Sequence, residues 1–324
     1  MPSSFSDYGR RDLVGYGPNP PHPQWPDGAK IAISVVLNYE EGSEVTPENG
    51  DPHSESVGSD LGPDAHKLVG ERNVNIESMF EYGSRAGVYR VLRLFKEYDI
   101  KATIYMVGKA LQLNPQIGKI MQAQGHEITS HGWRWVDRSD WTEDEELKNA
   151  KQACRVIKDI VGKPPVGWYY GMVQGKGGAK ARGLVARAFH EEKIPLKYYS
   201  DAYNDDLPYW IPSPVENQDE GLLIIPYGLD TNDFRDTYFN PFTTPDDYAK
   251  YLIAAFDELY KEGCEGSPKM FSMGLHGRII GRPARIAGLR KFFEHAKKHD
   301  GVWFATREEI ADHWSKVHPY NSNQ

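Results

Sequence analysis

The chain has 324 residues, with 38 Lys and Arg against 46 Asp and Glu, a formal net charge of −8. That balance offers no basic face for neutralising phosphates, which excludes a general nucleic-acid binder. Hydrophobic residues at 39% and aromatics at 12% supply a large core, so the chain folds rather than staying disordered.

Only Cys154 and Cys264 are cysteines, in no metal-type spacing. A disulfide framework is excluded, and a reduced compartment is the simpler reading. Met1 to Arg11 is polar, and no apolar run is long enough to cross a bilayer. Neither export through a standard signal peptide nor membrane insertion is expected; the cytoplasm and leaderless secretion both stay open.

Residues 15–28, GYGPNPPHPQWPDG, are too rich in Pro and Gly for a helix or a central strand and read as an extended arm. Ile31 to Leu37 is a short apolar, β-branched run, the pattern of a strand buried on both faces, and it delivers Asn38-Tyr39-Glu40-Glu41-Gly42 at its end. Residues 43–72 are polar and rich in Gly, Pro, Ser and Asp, a long loop of the kind that carries function. Val88 to Tyr98 places Val88, Val91, Leu92 and Phe95 on one helical face. A strand at Ala102 to Val107, a helix from Ile117 to Gln124 and a strand at His126 to Thr129 follow.

The next helix, Glu143 to Val161, starts behind Thr142, with Glu145 as its capping-box partner. Helices at 179–192, 245–262 and 284–298 then alternate with strands at 197–200, 222–226, 270–275 and 302–305. This alternation implies an α/β fold with a largely parallel sheet closed into a barrel. No linker sets off a second unit, so residues 29–324 read as one barrel domain behind the arm of residues 1–28.

In parallel barrels, active sites gather at the C-terminal ends of strands. Four unusual clusters fall there: Glu40-Glu41, His131-Gly132-Trp133-Arg134-Trp135, Asp201 with Asp205 and Asp206, and Leu275-His276. Solvated strand ends would explain any one of them, but their shared rim gives the carboxylates a role as general base and His276 a role as general acid. Adjacent Glu40 and Glu41 point to opposite sides in strand geometry, so at most one needs to face the axis. Gly175-Lys176-Gly177-Gly178 lacks the spacing of a phosphate loop. His126 opens a buried strand on the far side from the rim and reads as structural.

The succession Asn38-Tyr-Glu-Glu-Gly42, Gly125-His-Glu-Ile with Ser130-His131, Asp201 to Trp210 and Leu275-His276 resembles the polysaccharide deacetylase family over nearly the whole chain from about Arg11. GERNVNIESMFEYGSRAGVYR, SHGWRW, DDLPYW, LDTND and LHGRIIGRPARIAGL are similar to the branch holding metal-independent allantoinases and fungal chitin-deacetylase-like proteins. The resemblance implies a distorted (β/α) barrel of fewer than eight strands. Glu40 then stands at the family's catalytic base, Glu41 and His131 at metal-binding positions, and His276 with Leu275 at the general acid and acyl pocket. Asp206, with Asp201 and Asp205, falls in the segment whose carboxylate tunes that histidine, and Trp210 forms a pocket wall.

Two departures stand out. The family's second metal-binding histidine should fall four residues after His131, where this chain has Trp135, and the arginine that steadies the base falls at Gly167. Zn2+ or another divalent metal would keep only Glu41 and His131 by motif, short of the usual three ligands; otherwise no cofactor is implied. His53, Glu55, Asp60, Asp64 and His66 of the long loop are candidates for a third ligand, and Arg85, Arg278, Arg282 and Arg285 for the missing positive charge.

The first expectation is therefore an amide hydrolase that deacetylates N-acetylglucosamine units of chitin oligomers, with Trp133, Tyr169, Tyr170 and Trp210 suited to sugar faces and Arg282 also at the substrate. The alternative is an allantoinase, or another hydrolase of cyclic ureides or imides, working without metal. A catalytically silent carbohydrate-binding barrel ranks third. The expected partner is a small-molecule or oligosaccharide substrate, with neither nucleic acid nor membrane, and a homo-oligomer stays open.

Overall fold

The structure is a computed structural model that describes residues 11–61, 66–171, 178–215, 220–236, 242 and 244–322. The first apolar run forms β1 (Ile31–Tyr39), buried throughout, as a strand between two layers must be. Ile31, Ile33, Val35, Leu37 and Tyr39 face a core shared with the helices, while Ala32, Val36 and Asn38 point to the opposite, inner side. β1 pairs with β8 (Lys269–His276) along one edge. Its other edge is shared by β2 (Thr103–Met106) above and β9 (Val302–Phe304) below.

From β2 the sheet continues through β3 (Glu127–Ser130), β4 (Gly167–Trp168), β5 (Tyr198–Tyr199) and β7 (Gly221–Ile224), all parallel, before antiparallel β6 (Tyr209–Pro212) ends the path. Seven strands thus curl in the parallel order β7-β5-β4-β3-β2-β1-β8, and antiparallel β6 and short β9 bring the sheet to nine, in a distorted barrel as expected. Arg307 bridges the open side. Its Nη1 donates to Ser200 Oγ (3.0 Å) and the Ile225 carbonyl (2.8 Å), and its Nη2 donates to the Pro226 carbonyl (3.0 Å) and Ser272 Oγ (2.6 Å). One buried guanidinium therefore joins the strand ends of β5 and β7 to β8, where no strand pairing does.

Helices α1 (Val74–Tyr82) and α2 (Val88–Glu97) are joined by a π turn at Gly83–Gly87. Both terminal glycines are required by close approach: a Cβ at Gly83 would overlap the Glu41 carboxyl, and one at Gly87 the Gly277 carbonyl. The remaining helices are α3 (Gly108–Leu113), α4 (Pro115–Ala123), α5 (Glu143–Val161), α6 (Gly178–Glu191), α7 (Pro245–Cys264), α8 (Ile286–Ala296) and α9 (Arg307–Val317). The capping box of Thr142 and Glu145 forms at α5.

The N-terminal arm crosses the lower ends of the strands, where Trp25 is buried against Trp303 and Trp314 and donates Nε1 to the Lys269 carbonyl (3.1 Å). Cys154 is buried, Cys264 exposed, and both are free. Among the described residues no helix is long and apolar enough to cross a membrane.

Candidate active site

Beyond the last residue of β1 the alternation carries Glu40 inward, and a tight turn, Ser43 N–H to Glu40 carbonyl at 3.0 Å, fixes it there. Its Oε1 lies 3.0 Å from His131 Nε2 and 3.5 Å from His276 Nε2, and its Oε2 accepts from Arg278 Nη2 at 2.6 Å. His131 follows β3, and its Nδ1 donates to the Tyr169 carbonyl (2.9 Å) beyond β4. That bond orients the ring so that Nε2 meets the carboxylate. Tyr169 also stacks on the imidazole, with centroids 5.4 Å apart.

His276 ends β8. Its Nδ1 donates to Asp233 Oδ1 at 2.6 Å, its backbone N–H to Oδ2 at 2.7 Å, and Phe234 stacks on the ring at 3.8 Å. Ile280 N–H also reaches Oδ2 (3.1 Å), which locks the carboxylate against the turn after β8. Burial alone would lower the His276 pKa. The charges of Asp233 and Glu40 outweigh it and raise the value to about 9. The ring is therefore cationic at neutral pH, with its Nε2 proton turned toward Glu40.

Glu41 turns away from Glu40 into the pocket left by Gly83, as opposite-facing neighbours should. Burial, only partly offset by Arg278, raises its pKa. For Glu40 burial also pushes upward, but Arg278, His276 and the His131 hydrogen bond win and hold the carboxyl well below its ordinary range. Arg278 thus acts on the two adjacent carboxyls unequally, bonding Glu40 directly and lying farther from Glu41. It lies 3.8 Å from Glu41 Oε1, donates Nε to the Gly58 carbonyl (2.7 Å) and stacks over Phe80 at 4.3 Å.

Several expected residues lie elsewhere. The carboxylate against His276 is Asp233, not Asp206: the Asp206 carbonyl accepts from Met270 N–H (2.9 Å), near the start of β8 and about 20 Å along the strand from His276. Asp205 Oδ1 caps the Leu207 N–H, and Asp201 Oδ1 accepts from the N–H groups of Tyr170 and Gly171. Trp210 packs at the lower end, its Nε1 donating to the His318 carbonyl (2.6 Å) and its ring against Tyr320. Leu275 faces the outer core with Phe271 and Met273, because neighbours in a strand point to opposite faces and His276 takes the inner one.

Tyr170 is buried beneath Arg138, with its hydroxyl between the carbonyls of Arg134 (2.8 Å) and Val136 (2.7 Å), so it holds the loop after β3. Arg282 lies over Tyr82 and near Asp60, which also pairs with Arg285 (2.7 Å), and Arg85 pairs with Glu81. Of the four arginines named from sequence, Arg278 is the one that contacts Glu40 and Glu41.

His131 and Trp135 lie in a segment without helix, so the expected one-turn spacing does not apply; Trp135 packs beside Phe234 and Arg278. Gly167 has no room for an arginine, since a Cβ there would fall inside the Tyr198 ring. Asp233 and Phe234 are the residues that sequence reasoning missed. The signal was present in Leu229-Asp230-Thr231-Asn232-Asp233, a polar run just after an apolar strand.

These residues do not fit a catalytic zinc centre, which takes three protein ligands. Glu40 and His131 converge, but Glu41 turns away, Trp135 offers no ligand atom, and the Arg278 guanidinium already neutralises Glu40. In the loop, Glu55 caps the N–H groups of Ser56 and Val57, Asp60 holds Arg285, His53 Nδ1 bonds the Ser54 carbonyl, His66 is exposed, and Asp64 lies outside the described residues. Among the described residues, the group whose three ligand atoms all lie within 4.8 Å of one another is Asp257 on α7, His295 on α8 and His299 in the turn after α8.

Trp133, Trp135 and Trp141 line a cleft of about 700 Å³ together with Asp51, Glu55 and Lys109. Its far wall is the long loop, tied down by Arg134 to Asp51 (2.6 Å) and to the carbonyls of Ser43 and Glu44.

The polysaccharide deacetylase family model matches residues 71–181. A Schizosaccharomyces pombe protein assigned to the polysaccharide deacetylases is 39% identical over 97% of this chain and 100% of its own. A crystal structure of PuuE allantoinase superposes with a TM-score of 0.89 at 48% identity, covering 97% of this chain and 100% of that one. A structure from Pseudomonas aeruginosa PAO1, described as a probable polysaccharide deacetylase, gives 0.88 at 47%, covering 96% and 99%. With its barrel and relatives matched from end to end, the chain belongs to the polysaccharide deacetylase family and is a hydrolase of that family.

Proposed function

We propose that the chain hydrolyses a C–N bond in a small cyclic ureide or imide of the allantoin type, with Glu40 as base and His276 as acid. Burial carries this reading: Glu40, His131, His276 and Arg278 are each 1% exposed. A polymer needs an open groove with the reacting groups on its floor, whereas enclosed side chains such as these suit a ring of a few heavy atoms. The 48% identity to the PuuE allantoinase structure supports the same substrate class.

Glu40, ionised at neutral pH, accepts a proton from water as the oxygen attacks the ring carbonyl. His131, anchored through Nδ1 on the Tyr169 carbonyl, steadies the carboxylate through Nε2. Arg278 is a fixed, buried cation beside the developing oxyanion. As the intermediate collapses, His276 Nε2 gives its proton to the departing nitrogen, the C–N bond breaks and a carboxylic acid forms, which loses its proton to solvent on release. Glu40 then returns its proton to His276, 3.5 Å away.

Acetyl removal from chitin oligomers remains the second reading, supported by the three tryptophans of the cleft. Incubating the protein with allantoin and, separately, with chitin oligomers separates the two. Ring opening without acetate release is expected; acetate release without ring opening overturns the ureide reading. Loss of either activity in His276→Ala, with folding retained, argues against a silent binding barrel.

A further inference from the structure

We propose that Asp257, His295 and His299 form a transition-metal site on the outer helices, independent of the catalytic chamber. Asp257 projects from α7. His295 lies in the last turn of α8, and His299 follows four residues later in the turn that continues it. That spacing brings the two imidazoles together, with centroids 4.7 Å apart. His295 Nε2 already meets Asp257 Oδ1 at 2.6 Å.

The rings are oriented by packing. Phe256 meets both histidines in T-shaped contacts, with centroids 5.5 and 5.1 Å away, and Tyr260 meets His299 likewise at 4.9 Å. His299 Nδ1 donates to the His295 carbonyl (3.0 Å), which leaves its Nε2 as the bare, ligand-competent nitrogen. This is the outer-sphere bond that metal-binding histidines typically make.

Two imidazoles and one carboxylate suit Zn2+, Co2+, Ni2+ or Cu2+, whereas Mg2+ and Ca2+ favour oxygen ligands. Metal bonds of about 2.0–2.2 Å at tetrahedral angles set ligand atoms roughly 3.3 Å apart. The His295–Asp257 contact must therefore open by less than about an ångström, within the rotation of a carboxylate that is half exposed. Three protein ligands leave the fourth position to water, so the site is open and exchanges its ion. Its physical effect is to clip α7 to the end of α8, the helix that begins just after the turn bearing Arg278, Arg282 and Arg285.

The test uses the untagged full chain, stripped with chelator and titrated with Zn2+ and with Co2+. One equivalent of metal is expected, with a tetrahedral Co2+ absorption band and a Zn2+-dependent rise in Tm of about 3–5 °C. Both signals should vanish in His299→Ala and in His295→Ala and weaken at least tenfold in Asp257→Asn, while all three variants keep the metal-free Tm within about 2 °C. His131→Ala should bind metal as the unaltered chain does. Binding that survives His299→Ala and His295→Ala, binding lost in His131→Ala, or no binding at 100 µM Zn2+, would each overturn the proposal; the last figure is about the weakest affinity, on the order of −5.5 kcal/mol, that deserves the name of a site.

Discussion

Asp233 holds His276 twice, through the ring Nδ1 at 2.6 Å and through the backbone N–H at 2.7 Å, so one carboxylate fixes both the charge and the direction of the proton donor. Replacing it by Asn keeps the shape and removes the charge. Burial then dominates and the His276 pKa falls from about 9. We expect Asp233→Asn to lower kcat/KM at pH 7 by on the order of 10²–10⁴ and to move the alkaline limb of its pH profile to lower pH. The stability effect has a definite sign. The folded-state value lies above 6.5, so the stabilisation is complete below that pH and is lost as pH rises through about 9. An alkaline limb that stays in place in Asp233→Asn would remove His276 from the acid role.

Arg278 keeps Glu40 ionised, and its loss leaves a buried carboxylate uncompensated. Arg278→Met is expected to cost about 3–5 kcal/mol of stability. It should also shift the acid limb of kcat/KM upward, because burial, the force Arg278 opposes, then governs Glu40. Arg278→Lys should recover part of the stability but not the whole function, since one ammonium cannot reach Glu40 and the Gly58 carbonyl with the geometry of a guanidinium. Denaturant titrations and pH–rate profiles of the two variants check both parts, and an unmoved acid limb in Arg278→Met would show that Glu40 is not the titrating base.

The rim clusters were legible in the sequence because an apolar run followed by Glu, His or Asp marks a strand end, and four such ends share one face. Leu275 shows what the pattern holds but was not taken from it: once His276 faces inward, its neighbour must face outward. Asp206 and Asp233 differ in another way. Both follow apolar segments, and only the three-dimensional path of the chain puts one beside His276 and the other near the opposite end of β8. β4 joins a single glycine to Trp168 behind Pro164-Pro165, and β6 ends at Pro212, so turn residues mask both strands. The neutralising arginine was found only as one of four, since which guanidinium reaches Glu40 depends on the turn after β8.

Gly167 explains why the family's arginine is missing at that position. Tyr198 occupies the space, and its hydroxyl donates to Glu127 Oε1 at 2.7 Å, within a buried network reaching Thr103. Gly167→Ala is expected to cost at least about 2 kcal/mol by overpacking, and Gly167→Arg to prevent folding. Circular dichroism and thermal melts read both. A folded Gly167→Arg protein with unchanged Tm would mean that Tyr198 moves freely, contrary to its burial.

Glu44 provides a test of how the long loop meets the site. It is buried, its Oε2 accepts from the Gly42 N–H, and its carbonyl is held by Arg134. Burial outweighs those hydrogen bonds and raises its pKa to about 7 from 4.5. The folded state then binds this proton more tightly than the unfolded state does, so the group favours folding at low pH. Its contribution declines as pH climbs from about 4.5 through about 7 and is constant above that. Glu44→Gln keeps an acceptor for Gly42 and mimics the protonated form. The variant should match the unaltered chain at pH 4.5, where Glu44 carries its proton, and exceed it by about 1–3 kcal/mol at pH 8. Urea titrations of both proteins at the two pH values isolate the effect, because every other titrating group cancels in the difference. An equal gain at both values would assign the change to packing instead of charge, and a loss at pH 8 would mean that the ionised carboxylate is what fastens the loop.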